Sequence, residues 1–270
     1  MRYGFVCALL ATALWGSASL AAVPDAGPDA EPAGEMVTDR PDYTESSEVV
    51  GRKFVQYELG TIYEMDRSAG GGTVSLGTPL MRWGLSRRLE MRIGGAGLLI
   101  DRLDRAQRGG LGDTEFGVKL KILNARKWLP HLALIPMIGM PTGSLRYSSG
   151  AVEPALKIAW AKQAPLGFGV SGNLNARQLG TAVRYTQKTV TLSVARDLVA
   201  GLGGYWEAFV FSPFDKGTGP GWVFDTGLTG PVGPDAQWDA TWGHRANGIG
   251  PEWFVQFGFS IRHRITPIRR

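Results

Sequence analysis

Acidic and basic side chains recur in this sequence at a spacing of two, each set between apolar neighbours. Glu58 lies between Tyr57 and Leu59, Glu90 and Arg92 flank Met91, and Glu115, Lys119 and Lys121 alternate with Phe116, Val118, Leu120 and Ile122. The same rule holds for Glu153 and Lys157, for Arg177, Glu207, Asp225 and Asp239, and for Arg262 and Arg264 near the C-terminus. Side chains two apart share one face of an extended chain, so these residues form the wet row of strands whose other row is greasy. Two kinds of chemistry suit such rows. Opposed acids and bases can set a field across a watered pathway, or they can pair with one another and fill a closed interior.

Catalysis finds little support in the same sequence. The histidines are His131, His244 and His263, and Ser260, three residues from His263, would point to the opposite face of a strand, so that pair cannot form a nucleophile and base. No zinc spacing or P-loop is present, and the glycines of Gly94–Gly97 lack the helix that a dinucleotide site needs. No enzyme activity, bound cofactor or metal is therefore expected; His244 with a loop serine is the one hydrolase arrangement left open. The formal charge is +5, but no basic cluster interleaved with aromatics lies on a helix, so nucleic acid is not an expected partner.

The elements that must position the charged rows are long strands. In Glu252–Ile265, Trp253, Val255, Phe257, Phe259 and Ile261 alternate with Gln256, Gly258, Ser260 and Arg262 over 14 residues, well beyond the usual strand of about five or six. Twelve such runs follow one another from Val50 onward. The run Leu132–Met140 is apolar on both faces and contains Pro136, which implies locally lost pairing. Tight turns such as Gly84–Leu89 alternate with longer connections, namely Asp101–Gly112, Pro141–Gly150, Ser212–Gly221 and His244–Pro251. Short turns at one end and longer loops at the other, with lipid-facing apolar rows, predict an all-β fold: a transmembrane antiparallel β-barrel of the outer-membrane type with about twelve strands. Trp128, Trp160, Trp206, Trp222, Trp238, Trp242 and Trp253 read as interfacial anchors. A soluble β-sandwich would also use one dry and one wet face, but a dozen long hairpin-linked runs suit it less well.

The chain ends carry other information. Residues 1–21, with Arg2, an apolar run and a small-residue site ending at Ala21, read as a signal peptide. The single cysteine, Cys7, falls inside it, so no disulfide is expected in the mature protein. Residues 22–48 form an acidic leader that runs into a TDRPD segment. With Arg2 and the five acids of Ala22–Asp39 removed, 28 basic residues face 19 acidic ones, a net of +9. Leader and barrel (49–265) are thus opposite in sign. Asp39, Arg40, Asp42 and Glu45, with Ser46 and Ser47, are too polar for lipid contact and are candidates for a plug in the periplasmic mouth. A surface-lying lead-in to the first strand is the other reading. Residues 266–270 form a short basic tail after the last strand.

The words TDRPDYTESSEVV, GLGDTEFGVKLKIL, LIPMIGMPTGS and EWFVQFGFSIR, in that order over Thr38–Arg264, resemble the outer-membrane family of MetA-pathway phenol-degradation proteins, often called transporters. The resemblance implies a barrel in the cell outer membrane that passes small, including aromatic or hydrophobic, molecules. Tyr205, Phe209 and Phe211, with Ile135 and Met137, are the candidates for contact with such a solute. The expected partners are outer-membrane lipid, a small-molecule solute and the barrel-assembly machinery. A structural or adhesive barrel with a sealed lumen is the alternative.

Overall fold

In the computed structural model, residues 35–103, 106–180, 184–199, 201–212, 219–248 and 250–265 are described. The expected signal peptide, most of the acidic leader and the basic tail lie outside them. Fourteen β segments form one antiparallel sheet. They are β1 (Phe54–Asp66), β2 (Gly71–Gly84), β3 (Leu89–Gly95), β4 (Leu98–Leu103), β5 (Ala106–Leu111), β6 (Thr114–Leu123), β7 (His131–Met140), β8 (Glu153–Gln163), β9 (Phe168–Leu179), β10 (Tyr185–Asp197), β11 (Gly203–Phe211), β12 (Gly221–Gly233), β13 (Ala236–Asn247) and β14 (Trp253–Arg264).

Both β3 and β4 pair with β2, while their partners are β6 and β5 respectively. Each couple, β3 with β4 and β5 with β6, is therefore one broken strand of the wall, and the wall has twelve strands. The expected loop Asp101–Gly112 is instead largely the β4–β5 hairpin, which lengthens this part of the wall. Closure comes from β1, which pairs with β2 on one side and β14 on the other. The cylinder is thus closed through β1, and among the described residues β5, which pairs with β4 alone, keeps one unpaired edge where the hairpin extends beyond the wall.

Pro136 interrupts the ladder on one side only. The β6–β7 register passes from Gly117↔Met137 to Leu120↔Leu134, whereas β7 pairs with β8 straight through, Pro136 opposite Leu156. The lost N–H thus costs a bond toward β6 alone.

The solvent logic of a soluble protein is inverted here. Leu59 is 52% exposed and Phe257 64%, while Glu58, Glu90 and Lys119 are fully buried. Apolar side chains outside and ionised ones inside are stable together only when hydrocarbon surrounds the wall and the polar groups meet partners within. Trp206, Trp222, Trp238 and Trp242 stand on the outer row, 37–55% exposed.

Phe257 is opposite Thr61 and Ala240 in the middle of β14, on the outer face. Phe257→Arg should destabilise the barrel in bilayers by about 2–4 kcal/mol, the cost of a cation near the bilayer midplane. Reversible urea unfolding in liposomes measures it. A change of under about 0.5 kcal/mol would mean that Phe257 does not face acyl chains.

Candidate functional site

The polar segment that precedes β1 lies inside the barrel, bonded to strands around much of its circumference. Its centre is Asp39, which is 6% exposed. The Asp39 carboxylate receives Lys119 Nζ at 2.8 Å and Arg92 Nη2 at 2.9 Å, with Arg82 Nε at 3.4 Å. It also accepts the backbone N–H and hydroxyl of Ser46, at 2.8 and 2.7 Å, which folds the segment back on itself. Burial alone would raise the Asp39 carboxyl, but Arg82, Lys119 and Arg92 outweigh it and hold it well below the ordinary 3.8.

Around this hub the barrel supplies acceptors as well as donors. Glu58 accepts the N–H groups of Asp39 and Arg40 at 3.0 Å and Arg82 Nη1 at 3.0 Å. Glu90 accepts Arg82 Nε at 2.9 Å and the Val50 N–H at 2.7 Å. Further along, Glu45 pairs with Arg92 at 2.8 Å and with Lys157, and Glu48 pairs with Lys121 and lies 3.0 Å from His131 Nδ1. Burial opposes ionisation of Glu45, yet Arg92 and Lys157 prevail and bring it from 4.5 down to about 2.

The opposite wall holds the segment through its backbone, Thr44 and Arg40. Arg40 pairs with Asp239 at 3.1 Å. Glu207 accepts the Tyr43 N–H at 2.6 Å and the Thr44 hydroxyl, and the Asn173 amide both accepts from Glu45 N–H at 2.6 Å and donates to its carbonyl at 3.1 Å. The Tyr43 ring stacks on Phe209, centroids 4.6 Å apart at 14°.

Arg40 fits because of two glycines. Gly60 and Gly258 face each other across the β1–β14 seam. A Cβ on Gly60 would fall 2.2 Å from Arg40 Nη1, and one on Gly258 would fall 2.3 Å from Arg40 Nε and 2.5 Å from Asp239. The pair forms a slot for the guanidinium.

Two cavities flank the segment, and both are lined by Arg40, Pro41 and Asp42. The one on the side of the longer connections holds about 550 Å³ and is bordered by Phe209, Phe211, Arg92, Lys157 and Asp225. The other, about 430 Å³, lies toward the chain ends and includes Tyr205.

Of the charged row read from sequence, Glu58, Glu90, Arg92, Lys119, Lys121, Lys157, Glu207 and Asp239 bond to the segment. Arg177 instead joins Glu115 and Glu153 above it, and Asp225 stands opposite Glu207 in the β11–β12 register. Arg262 departs from the expected passage. It binds Asp235 at 2.7 Å in the β12–β13 turn and stacks over Phe54 at the rim, where Arg264 is exposed, because β14 has by then run past the lumen. His244 is not in a loop but in β13, with Nδ1 3.0 Å from the Glu252 carbonyl oxygen and its ring stacked on Trp242. Among the described residues no group of His, Cys, Asp or Glu is arranged to hold a metal ion.

Sequence reading missed Arg82, the side chain that ties Asp39, Glu58 and Glu90 together. The β1–β2 register passes from Gly60↔Thr78 to Thr61↔Leu76, so β2 carries one extra residue, Gly77. That bulge flips the inward phase from Ser75 to Arg82, and simple alternation does not survive it. The available signal was Arg82 standing two residues from Gly84 in a run whose dyad breaks at Gly77.

The sequence over residues 38–263 matches the model of the family described as "Putative MetA-pathway of phenol degradation". The chain belongs to this family. Among solved structures, the COG4313 outer membrane channel from Pseudomonas putida F1 is similar, with TM-score 0.63 and 13% identity over 84% of this chain and 100% of that one. The KdgM porin gives TM-score 0.48 and 10% identity over 76% and 98%. Among curated proteins no sequence matches. The fold is thus that of an outer-membrane β-barrel.

Gly258→Ala should force Arg40 off Asp239 and leave a buried carboxylate unpaired. The expected result is a higher open probability in planar bilayers with barrel content unchanged by circular dichroism; unchanged gating would show that the slot does not hold the segment. Acid gives a second test. Because Asp39 and Glu45 are lowered in the folded state, their contribution is fully present above their unfolded values and is lost as pH falls through the folded ones. Conductance should rise as pH falls below the ordinary carboxylate range, where Asp39 and Glu45 lose their charge. No rise between about pH 5 and pH 2 would contradict this assignment.

Proposed function

We propose that the protein is a passive outer-membrane channel for small molecules, aromatic or hydrophobic ones among them, and that residues 39–48 form its plug. The observation that carries this reading is the segment itself, bonded to β1, β2, β3, β6, β8, β9, β11 and β13 at mid-lumen between two cavities. A wall built only for rigidity has no need of a separable polar insert. Twelve strands enclose more space than the roughly eight whose side chains can fill a barrel, and less than the sixteen to eighteen of open porins. The insert takes up that intermediate space.

The path for a solute runs from the larger cavity, past Phe209 and Phe211, to the plug. Ring faces there offer stacking surface at little conformational cost. Passage requires the plug to shift, since Asp39, Arg82 and Lys119 leave no opening at the hub. No step in this account makes or breaks a covalent bond.

Deletion of Asp39–Ser47 tests the proposal against a sealed structural barrel. The deletion should raise single-channel conductance several-fold and speed liposome swelling by small solutes. Conductance equal to that of the intact chain would remove the plug and favour a lumen that stays closed for other reasons.

A further inference from the structure

We infer that the plug's carboxylates occupy a binding track for carboxylates on the barrel wall, and that Arg92 and Lys157 receive the carboxylate of a permeating aromatic acid. This rests on the plug reading above and adds a substrate class to it.

The wall cations of β3, β6 and β8 have few counter-ions of their own. Glu90, the barrel carboxylate near Arg92 and Lys119, is 3.8 and 4.0 Å away, against 2.8–2.9 Å for the plug's Asp39 and Glu45. Lys157 and Lys121 pair with Glu45 and Glu48 of the plug. Glu90 and Glu58 are already committed to Arg82 and to backbone N–H groups. The barrel therefore presents cations for which the N-terminal segment supplies the anions.

One of these seats opens to the larger cavity. Glu45, Arg92 and Lys157 all line it, whereas Lys119 does not. A solute in that cavity can reach Arg92 and Lys157 without first dislodging the hub at Asp39. Arg92 is 1% exposed, and among the described residues its Nε has no hydrogen-bond partner, so a donor is spare at the seat. Tyr43, stacked on Phe209, borders the same cavity and supplies a flat apolar face for a ring.

The exchange this allows is one carboxylate for another. Glu45 swings into the cavity water while the solute's carboxylate takes over Arg92 and Lys157. A buried cation that loses its counter-ion is strongly penalised, so a neutral solute cannot perform the replacement. A carboxylate can, and the same act loosens the plug's grip at Glu45. Aromatic acids should therefore be preferred over neutral or cationic compounds with the same ring.

Planar bilayers with the full mature chain test this, with benzoate, benzyl alcohol and benzylammonium as probes. Glu45→Gln should raise benzoate flux about ten-fold, equivalent to ~1.4 kcal/mol, and leave benzyl alcohol within about two-fold. Lys157→Gln should remove the benzoate preference, and Lys157→Arg should restore it, which separates loss of the seat from loss of folding. Equal effects on benzoate and benzyl alcohol, or a preference for benzylammonium, would overturn the inference. The Asp39–Ser47 deletion separates the two readings. Raised conductance with an anion-selective reversal potential supports both, raised conductance without selectivity sinks the carboxylate track alone, and unchanged conductance sinks the plug.

Discussion

A buried cation inside a protein wall must find an anion, and where β2, β3 and β6 adjoin, the wall sets two carboxylates, Glu58 and Glu90, against three cations. Arg82, Arg92 and Lys119 sit together on neighbouring strands at 0–1% exposure. Like charges so close in a medium less polarisable than water repel one another strongly. Asp39 resolves the conflict by lying among all three. Removing one partner from such a buried cluster typically costs about 3–5 kcal/mol, so Asp39 anchors the segment that carries it at the hub of the lumen. The arrangement of the lumen follows from this one coordination.

The outer face obeys a separate rule. Its side chains need only be apolar, and Leu, Phe, Val and Trp fill it without any special pairing. Position matters little there, whereas many inward residues have a specific partner. Asn173 offers both ends of its amide to Glu45. Glu207 spends both oxygens on the Tyr43–Thr44 stretch. The lumen is therefore a recognition surface for a particular peptide, and a solute must contend with that fit.

Most of the wall was legible because period two is a strong signal wherever one face meets lipid and the other polar groups. Glu58, Glu90, Lys119 and Asp239 could be assigned inward from neighbouring residues alone. The charge contrast between leader and barrel pointed toward Asp39, Arg40 and Glu45. Two features were hidden. The bulge at Gly77 put Ser75 and Arg82 on one face although they are seven residues apart, which no fixed period describes. The β4–β5 hairpin read as a loop because Gly109, Gly110 and the charges of Asp101–Arg108 resemble loop composition; long-range pairing with β2, not local propensity, makes it strand. Arg262 was placed by its row alone, and a row cannot say where along its length the lumen ends.

The slot that receives Arg40 has one glycine on the first strand and one on the last. Neither half can hold a guanidinium alone, and the two halves meet only when the sheet has rolled up and its ends have zipped together. Arg40 therefore has no seat in any partly assembled sheet. Insertion of the N-terminal segment must follow cylinder closure, and a chain with its arginine in place is a chain whose circumference is complete.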